Sequence, residues 1–241
     1  MQLEGSSALI TGASRGLGLA VATALAKQGV QLVITARDAQ ELGKAAEVLR
    51  EHSQVIAIAG DVSDDAHAQR LVAEALVGFG RLDILINSAS ELGPSPLPQL
   101  AGLPIAEYRR ILNVNVVAPL RLTQLALPAL LAAPEGVVVN VSSDAGVNAY
   151  AGWGGYGSSK AALEHWSHIL AEELRDSRVR VFVVDPGDMD TRMHRLAEPG
   201  VDLSHLPSPV EVAPALVGLL DDTRRFARVE AQRMMREAVS A

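Results

Sequence analysis

At 241 residues, 49% hydrophobic but only 3% aromatic, the chain is long enough for one sizeable α/β domain with a core of Ala, Val, Leu and Ile. A net charge of −7 leaves no broad basic surface, which argues against nucleic acid and anionic membrane as partners. The lack of cysteine excludes a disulfide scaffold and a thiolate metal site.

The start, "MQLEGSSALITG", has no basic leader followed by an apolar stretch, and no uninterrupted apolar run approaches the roughly 18 residues of a membrane span, so the chain reads as cytoplasmic. "SALIT" at 7–11 is the first strand expected, followed by a turn with Gly12, Gly16 and Gly18 and a helix over about 17–28. Glycines allow a sharp turn and close approach of a pyrophosphate, and a helix N-terminus attracts its charge. A plain strand-to-helix turn is the competing reading; the position at the first strand favours a dinucleotide. The spacing is not G-x-G-x-x-G and no G-K-[ST] follows, which disfavours a phosphate-transfer loop.

The second strand, "QLVIT" at 31–35, ends on Ala36 and Arg37. At this place an acidic residue would take a ribose 2′-hydroxyl and an arginine a 2′-phosphate. Arg37 with Arg15 offers two guanidiniums for one phosphate, favouring NADP(H) over NAD(H). Solvated surface arginines are the alternative, and neighbouring Asp38 keeps NAD(H) possible.

A helix over 38–52, the strand "VIAIA" at 55–59 and a helix over 64–79 follow. The acidic pairs Asp64/Asp65 and Asp221/Asp222 read as helix caps and solvated ends. After "LDILI" at 82–86 comes a Pro- and Gly-rich loop, 91–104, then a helix over 104–133 and the strand "GVVVNVS" at 136–142. A helix over 156–176, the strand "VRVFVVD" at 179–185 and a second long loop, 186–209, complete the pattern, with a short seventh strand at about 226–231. Strands alternating with helices predict one parallel sheet with helices on both faces, in a single domain over 1–241. The long loops follow strands, at the carboxyl edge where such sheets bind ligands.

"NAYAGWGGYGSSK" (148–160) crowds glycines and aromatic rings around Tyr156 and Lys160. Residues four apart share a helix face, so the lysine can stand beside the phenol and lower a pKa that is about 10 unperturbed. A tyrosine so tuned exchanges a proton near neutral pH. Alone, the pair is weak evidence, since Tyr-x-x-x-Lys occurs by chance in many helices, and a packing tyrosine beside a surface lysine is the better reading.

"TGASRGLG", "NSAS", "NVN", "NVSS", "YGSSK" and "PGDMDT" occur in order along nearly the whole chain. Together they resemble the short-chain dehydrogenase/reductase family. The resemblance implies a Rossmann-type, doubly wound fold and hydride transfer between a nicotinamide and a carbonyl or alcohol, with a small molecule as substrate.

It implies that Tyr156 is the general acid in reduction and the base in oxidation, and that Lys160 holds the nicotinamide ribose. Ser143, thirteen residues before Tyr156, would bond the substrate oxygen; Ser142 is its neighbour and the alternative. Asn115, aligned better than Asn113, would anchor a water relay to Lys160. For the cofactor it implies Ser14 and Leu17 beside Arg15 in the glycine turn, and Asp61 and Val62 at the adenine. Asn87 and Ala89 would support the central sheet and the adenosine ribose, and Pro186, Gly187, Met189 and Thr191 the carboxamide.

Ser88 and Ser90 stand where the family most often has asparagine and glycine, which bears on the turn but, on this reading, on no chemical group. "RFARVEAQRMMREAVSA" lacks the family's Asp-Gly-Gly-like ending. A homodimer through the helices at 104–133 and 156–176, or a homotetramer, is expected. A non-catalytic NADP-sensing regulator is the alternative from another class; it would be marked by loss of Tyr156 or Lys160, and both are present. His165 and His168, three apart, lack a third ligand, so no metal is expected. Leu92, Trp153, Met189 and Met193 are candidates for an apolar wall around the substrate.

Overall fold

β-branched and leucine-rich runs of four to seven residues form seven parallel strands, and the Ala/Leu-rich stretches between them form helices. The structure is a computed structural model and describes residues 1–239, with side chains to 237. The strands are β1 (Ser7–Thr11), β2 (Gln31–Ala36), β3 (Val55–Ala59), β4 (Ile84–Asn87), β5 (Gly136–Val141), β6 (Val179–Asp185) and β7 (Phe226–Glu230). Their order is β3-β2-β1-β4-β5-β6-β7. β1 pairs with both β2 and β4 (Ala8 opposite Leu32 and Ile84), so the winding reverses there and leaves a crevice at the carboxyl ends of β1 and β4.

Alternation along the strands builds two cores. Ala8, Ile10, Leu32, Ile34, Ile84, Ile86, Phe182 and Val184 face one side, with residues of α1 (Gly16–Ala26), α2 (Ala39–Arg50) and α8 (Pro209–Gly218). Leu9, Val33, Leu85, Val138 and Val181 face the other, against α3 (Asp65–Phe79), α5 (Ala118–Ala132) and α6 (Gly154–Glu173). This is the Rossmann-like layering expected, and β7 lies within the predicted span.

The expected helix over 104–133 is three pieces in one rod: α4 (Ile105–Leu112), a π turn (Asn113–Val117) and α5. By length and composition the rod could cross a membrane, at 28 residues and mean hydropathy 1.4. Leu122, Ala126 and Leu130 are instead buried against the sheet.

The predicted loop 186–209 holds a short helix, α7 (Arg192–Ala197). α8 and α9 (Ala231–Val239) had no counterpart in the sequence reading. Ser208 and Glu211 form a capping box at the start of α8, a signal legible in "SPVE". Asp64 caps α3, and Asp65 in its first turn and Asp221 are exposed, as expected; they pair with Arg121 and the chain's amino group, while the less exposed Asp222 pairs with Arg224.

Candidate active site

At the crevice the chain opens a groove of about 820 Å³ between the glycine turn, the strand ends and both long loops. Gly12 is at φ +69°, and a Cβ there would sit 2.9 Å from the backbone of Ala89. Thr11 Oγ1 accepts from the amides of Ser88 and Ala89, both at 3.0 Å, which ties the two strand ends together. α1 begins with no side-chain cap and no acidic residue in its first turn. Its first amides therefore face the groove as unclaimed donors, the arrangement a pyrophosphate fits.

Ser14, Arg15, Gly16, Leu17 and Gly18 line this end, and Arg37, Asp61, Val62 and Ala89 continue it. Against the pull of burial, hydrogen bonds from Ser63 and the charge of Arg37 hold the Asp61 carboxyl below its usual range. Asp38 caps α2, accepting from the amides of Gln40 and Glu41 at 2.9 Å. Its carboxylate is thus committed to the helix. Arg15 pairs with Glu41 at 2.7 Å and Arg37 with Glu91 at 3.3 Å. Those two glutamates, overlooked in the sequence, hold the arginines before any phosphate does.

Asn87 does not line the groove. It is buried behind it, donating to Asn140 Oδ1 at 2.8 Å, a bond between β4 and β5.

Close approach explains the glycines around Tyr156. A Cβ on Gly157 would reach the Ala145 carbonyl at 2.5 Å, and one on Gly146 would meet Ala161 N at 3.1 Å. α6 therefore lies directly on the turn Asp144–Gly146, and this brings Tyr156 beside Ser143. Trp153 packs edge-on against Tyr156, centroids 5.8 Å apart. Ser143 donates to Asp144 Oδ1 at 3.1 Å and accepts from Ala145 N at 3.2 Å, while Ser142 donates to Glu164 at 2.6 Å. The serine facing the phenol is thus Ser143.

Lys160 is 2% exposed, and its Nζ lies 5.3 Å from the Tyr156 ring centroid while donating to the Val141 carbonyl at 2.8 Å. Burial pulls its pKa down to about 8, opposed by Glu164. The expected depression of the phenol is not what this geometry produces. Burial pushes Tyr156 up to about 12, aided by Asp185 and Asp144 and opposed by the hydroxyls of Ser90 and Ser143. Burial outweighs the two hydroxyls, so the phenol stays neutral through the physiological range.

Asn115 sits in the π turn, 1% exposed. It accepts from Glu91 N at 2.7 Å and donates to Glu91 O at 2.8 Å and Ser159 Oγ at 2.9 Å. Its side-chain bonds fasten the first lid loop to α6, and none reaches Lys160. Asn113 is exposed. The reading that Ser90 touches no chemical group is also corrected: its hydroxyl donates to Asn115 Oδ1 at 3.2 Å and bears on Tyr156.

Pro186, Gly187, Met189 and Thr191 line the far end of the groove. Thr191 Oγ1 also caps α7, accepting from His194 N at 3.2 Å. Leu92 and Tyr156 form an apolar cluster with Leu97, Trp153, Met193 and Ala197, so both lids supply the wall. Met189 packs instead with the sheet's main core. His168 stacks on Phe226, and no cluster of three metal-ligating residues occurs among the described residues.

Beneath the site, Arg228 on β7 bonds Glu164 at 2.9 Å and lies 3.6 Å from Asp185. No sequence signal marked it, since its partners lie 64 and 43 residues away in the chain.

The family described as short chain dehydrogenase matches residues 6–201. A rhamnolipids-biosynthesis 3-oxoacyl-[acyl-carrier-protein] reductase of Pseudomonas aeruginosa is 37% identical over 203 residues, 80% of this chain and 76% of that one. A short chain dehydrogenase of Shigella flexneri complexed with NADP superposes with TM-score 0.87 at 30% identity, over 96% of this chain and 98% of that one. One of Escherichia coli CFT073 complexed with NADPH gives TM-score 0.87 at 31% identity, over the same shares.

Proposed function

The chain belongs to the short-chain dehydrogenase/reductase family of oxidoreductases, and from that premise we propose that it reduces an apolar ketone or aldehyde with NADPH. The observation that carries the reading is the convergence of Tyr156, Lys160 and Ser143 on one groove that also holds the glycine turn and two arginines. The solved relatives complexed with NADP and NADPH support the cofactor choice.

The cofactor would lie with its pyrophosphate on the first amides of α1, its 2′-phosphate between Arg15 and Arg37, and its nicotinamide near Pro186–Thr191. When bound, it supplies the hydride. Tyr156 gives its phenolic proton to the carbonyl oxygen as charge develops there, and Ser143 donates a hydrogen bond to the same oxygen. Lys160 holds the ribose and places an ammonium beside the phenolate that remains. The phenol is kept neutral by burial, which suits a proton donor in reduction. The wall of Leu92, Leu97, Trp153 and Met193 excludes water and seats an apolar substrate body. Initial rates across a panel of carbonyls, with NADPH and with NADH, test this. A preference of tenfold or more for NADPH is expected with apolar ketones, and no oxidation of NADPH by any carbonyl would end the proposal.

A further inference from the structure

Tyr156 needs a hydrogen-bond donor once its proton has gone. Ser143 is assigned to the substrate oxygen, and its own hydroxyl is also held by Asp144 and Ala145. Lys160 gives one N–H to the Val141 carbonyl and, on the reading above, serves the ribose and supplies the phenolate with a nearby charge. The remaining hydroxyl that faces the phenol is Ser90's, at the turn position where the family pattern has glycine.

In the structure Ser90 donates to Asn115 Oδ1 at 3.2 Å, and that oxygen also receives the Glu91 amide at a shorter 2.7 Å. Asn115 Oδ1 therefore stays satisfied if Ser90 turns away.

We propose that Ser90 is a further catalytic residue, whose hydroxyl hydrogen swings from Asn115 Oδ1 onto the Tyr156 oxygen when the phenol gives up its proton. This rests on the reading of Tyr156 as the proton donor. The Tyr156 O–H bond breaks as an O–H bond to the substrate oxygen forms. Ser90 keeps its own proton throughout and only exchanges one acceptor for another. The phenolate so stabilised reclaims a proton later, or accepts one from an alcohol in the reverse direction.

The charged groups around Tyr156 are Lys160 on its own helix, Asp185 at the end of β6 and Asp144 beside Ser143. All remain in Ser90→Ala, and so do the bonds of Asn115 to Glu91 and Ser159. Losing a donor to the phenolate raises the phenol's pKa.

The test uses the free chain carrying ¹³Cζ-tyrosine, with the Tyr156 resonance assigned through Tyr156→Phe. With a pKa of about 12, about a tenth of Tyr156 is ionised at pH 11. Ser90→Ala should cut that fraction roughly three- to tenfold, and Ser90→Thr, which keeps the hydroxyl, should restore it. In alcohol oxidation, the rising limb of kcat/KM against pH should move up by about half to one pH unit in Ser90→Ala, with NADP affinity unchanged. An equal ionised fraction in Ser90→Ala, or a limb that does not move, overturns the proposal. Because the titration needs no turnover, its failure is separable from failure of the reductase reading, which the carbonyl panel tests.

Discussion

Replacing Lys160 by Met separates what the ammonium costs the fold from what it gives the site. The side chain is almost fully buried, and burial lowers its pKa from 10.5 to about 8. At 1.36 kcal/mol per unit, that gap is a penalty of about 3 kcal/mol carried by the folded state while the amine is charged. Methionine keeps the apolar stem and avoids the penalty, but it leaves the Val141 carbonyl without its donor, a loss of about 1–2 kcal/mol. Lys160→Met should therefore be more stable than the parent at pH 7 by about 1–2 kcal/mol, or about 2–8 °C in Tm for a chain of this size.

The pH dependence follows from the sign. Below pH 8 the amine is charged in both states and the penalty is complete. From pH 8 toward 10.5 the folded chain has shed the proton while the unfolded chain keeps it, so the parent gains stability and the mutant's advantage shrinks. Urea unfolding at pH 7, 8, 9 and 10 measures this. Above pH 10 Tyr156 works the other way, since only the unfolded chain ionises there while the folded phenol holds its proton to about 12. A mutant less stable than the parent at pH 7, or an offset that does not change with pH, would refute the assignment of a buried ammonium. Turnover should fall at least a hundredfold in the same mutant.

Tyr156→Phe should lower kcat at least a hundredfold while NADPH affinity, read by fluorescence quenching, changes only a few-fold. Arg37→Ala should weaken NADPH roughly tenfold or more, the worth of a charge-assisted pair, and leave NADH within about twofold; equal effects on both would place the 2′-phosphate elsewhere. Gly12→Ala, at φ +69° and against Ala89, should destabilise the chain by about 1–3 kcal/mol in urea unfolding and weaken NADPH binding more than tenfold.

What the sequence disclosed depended on the range over which each feature is determined. β1 with its glycine turn and the run of glycines before Tyr156 are local patterns, and local patterns were legible. The family resemblance singled out Ser143 and Asn115 over their neighbours; the structure puts Ser143 beside the phenol and ties Asn115 to Glu91 and Ser159. The state of the phenol was not legible, because it depends on burial and on Ser90, Asp185 and Ser143, which are distant in the chain. Glu41 and Glu91 as partners of Arg15 and Arg37, and Arg228 beneath the site, depend likewise on tertiary approach. Ser90 was misread for a different reason. Its departure from the family pattern was seen as a change of turn, although a hydroxyl added at that place also reaches Asn115 and the phenol. α8 escaped because its two prolines, Pro209 and Pro214, imitate a loop while its capping box announces a helix.

The transfer of hydride can be followed with NADPH carrying deuterium at C4 of the nicotinamide. With both C4 hydrogens replaced by deuterium, and with the carbonyl that gives the highest rate, the parent chain should deliver one deuterium to the carbinol carbon, detected by mass spectrometry, and Tyr156→Phe should deliver none in the same time. Alcohol without the label, or equal labelling by both proteins, would contradict the chemistry assigned to this groove.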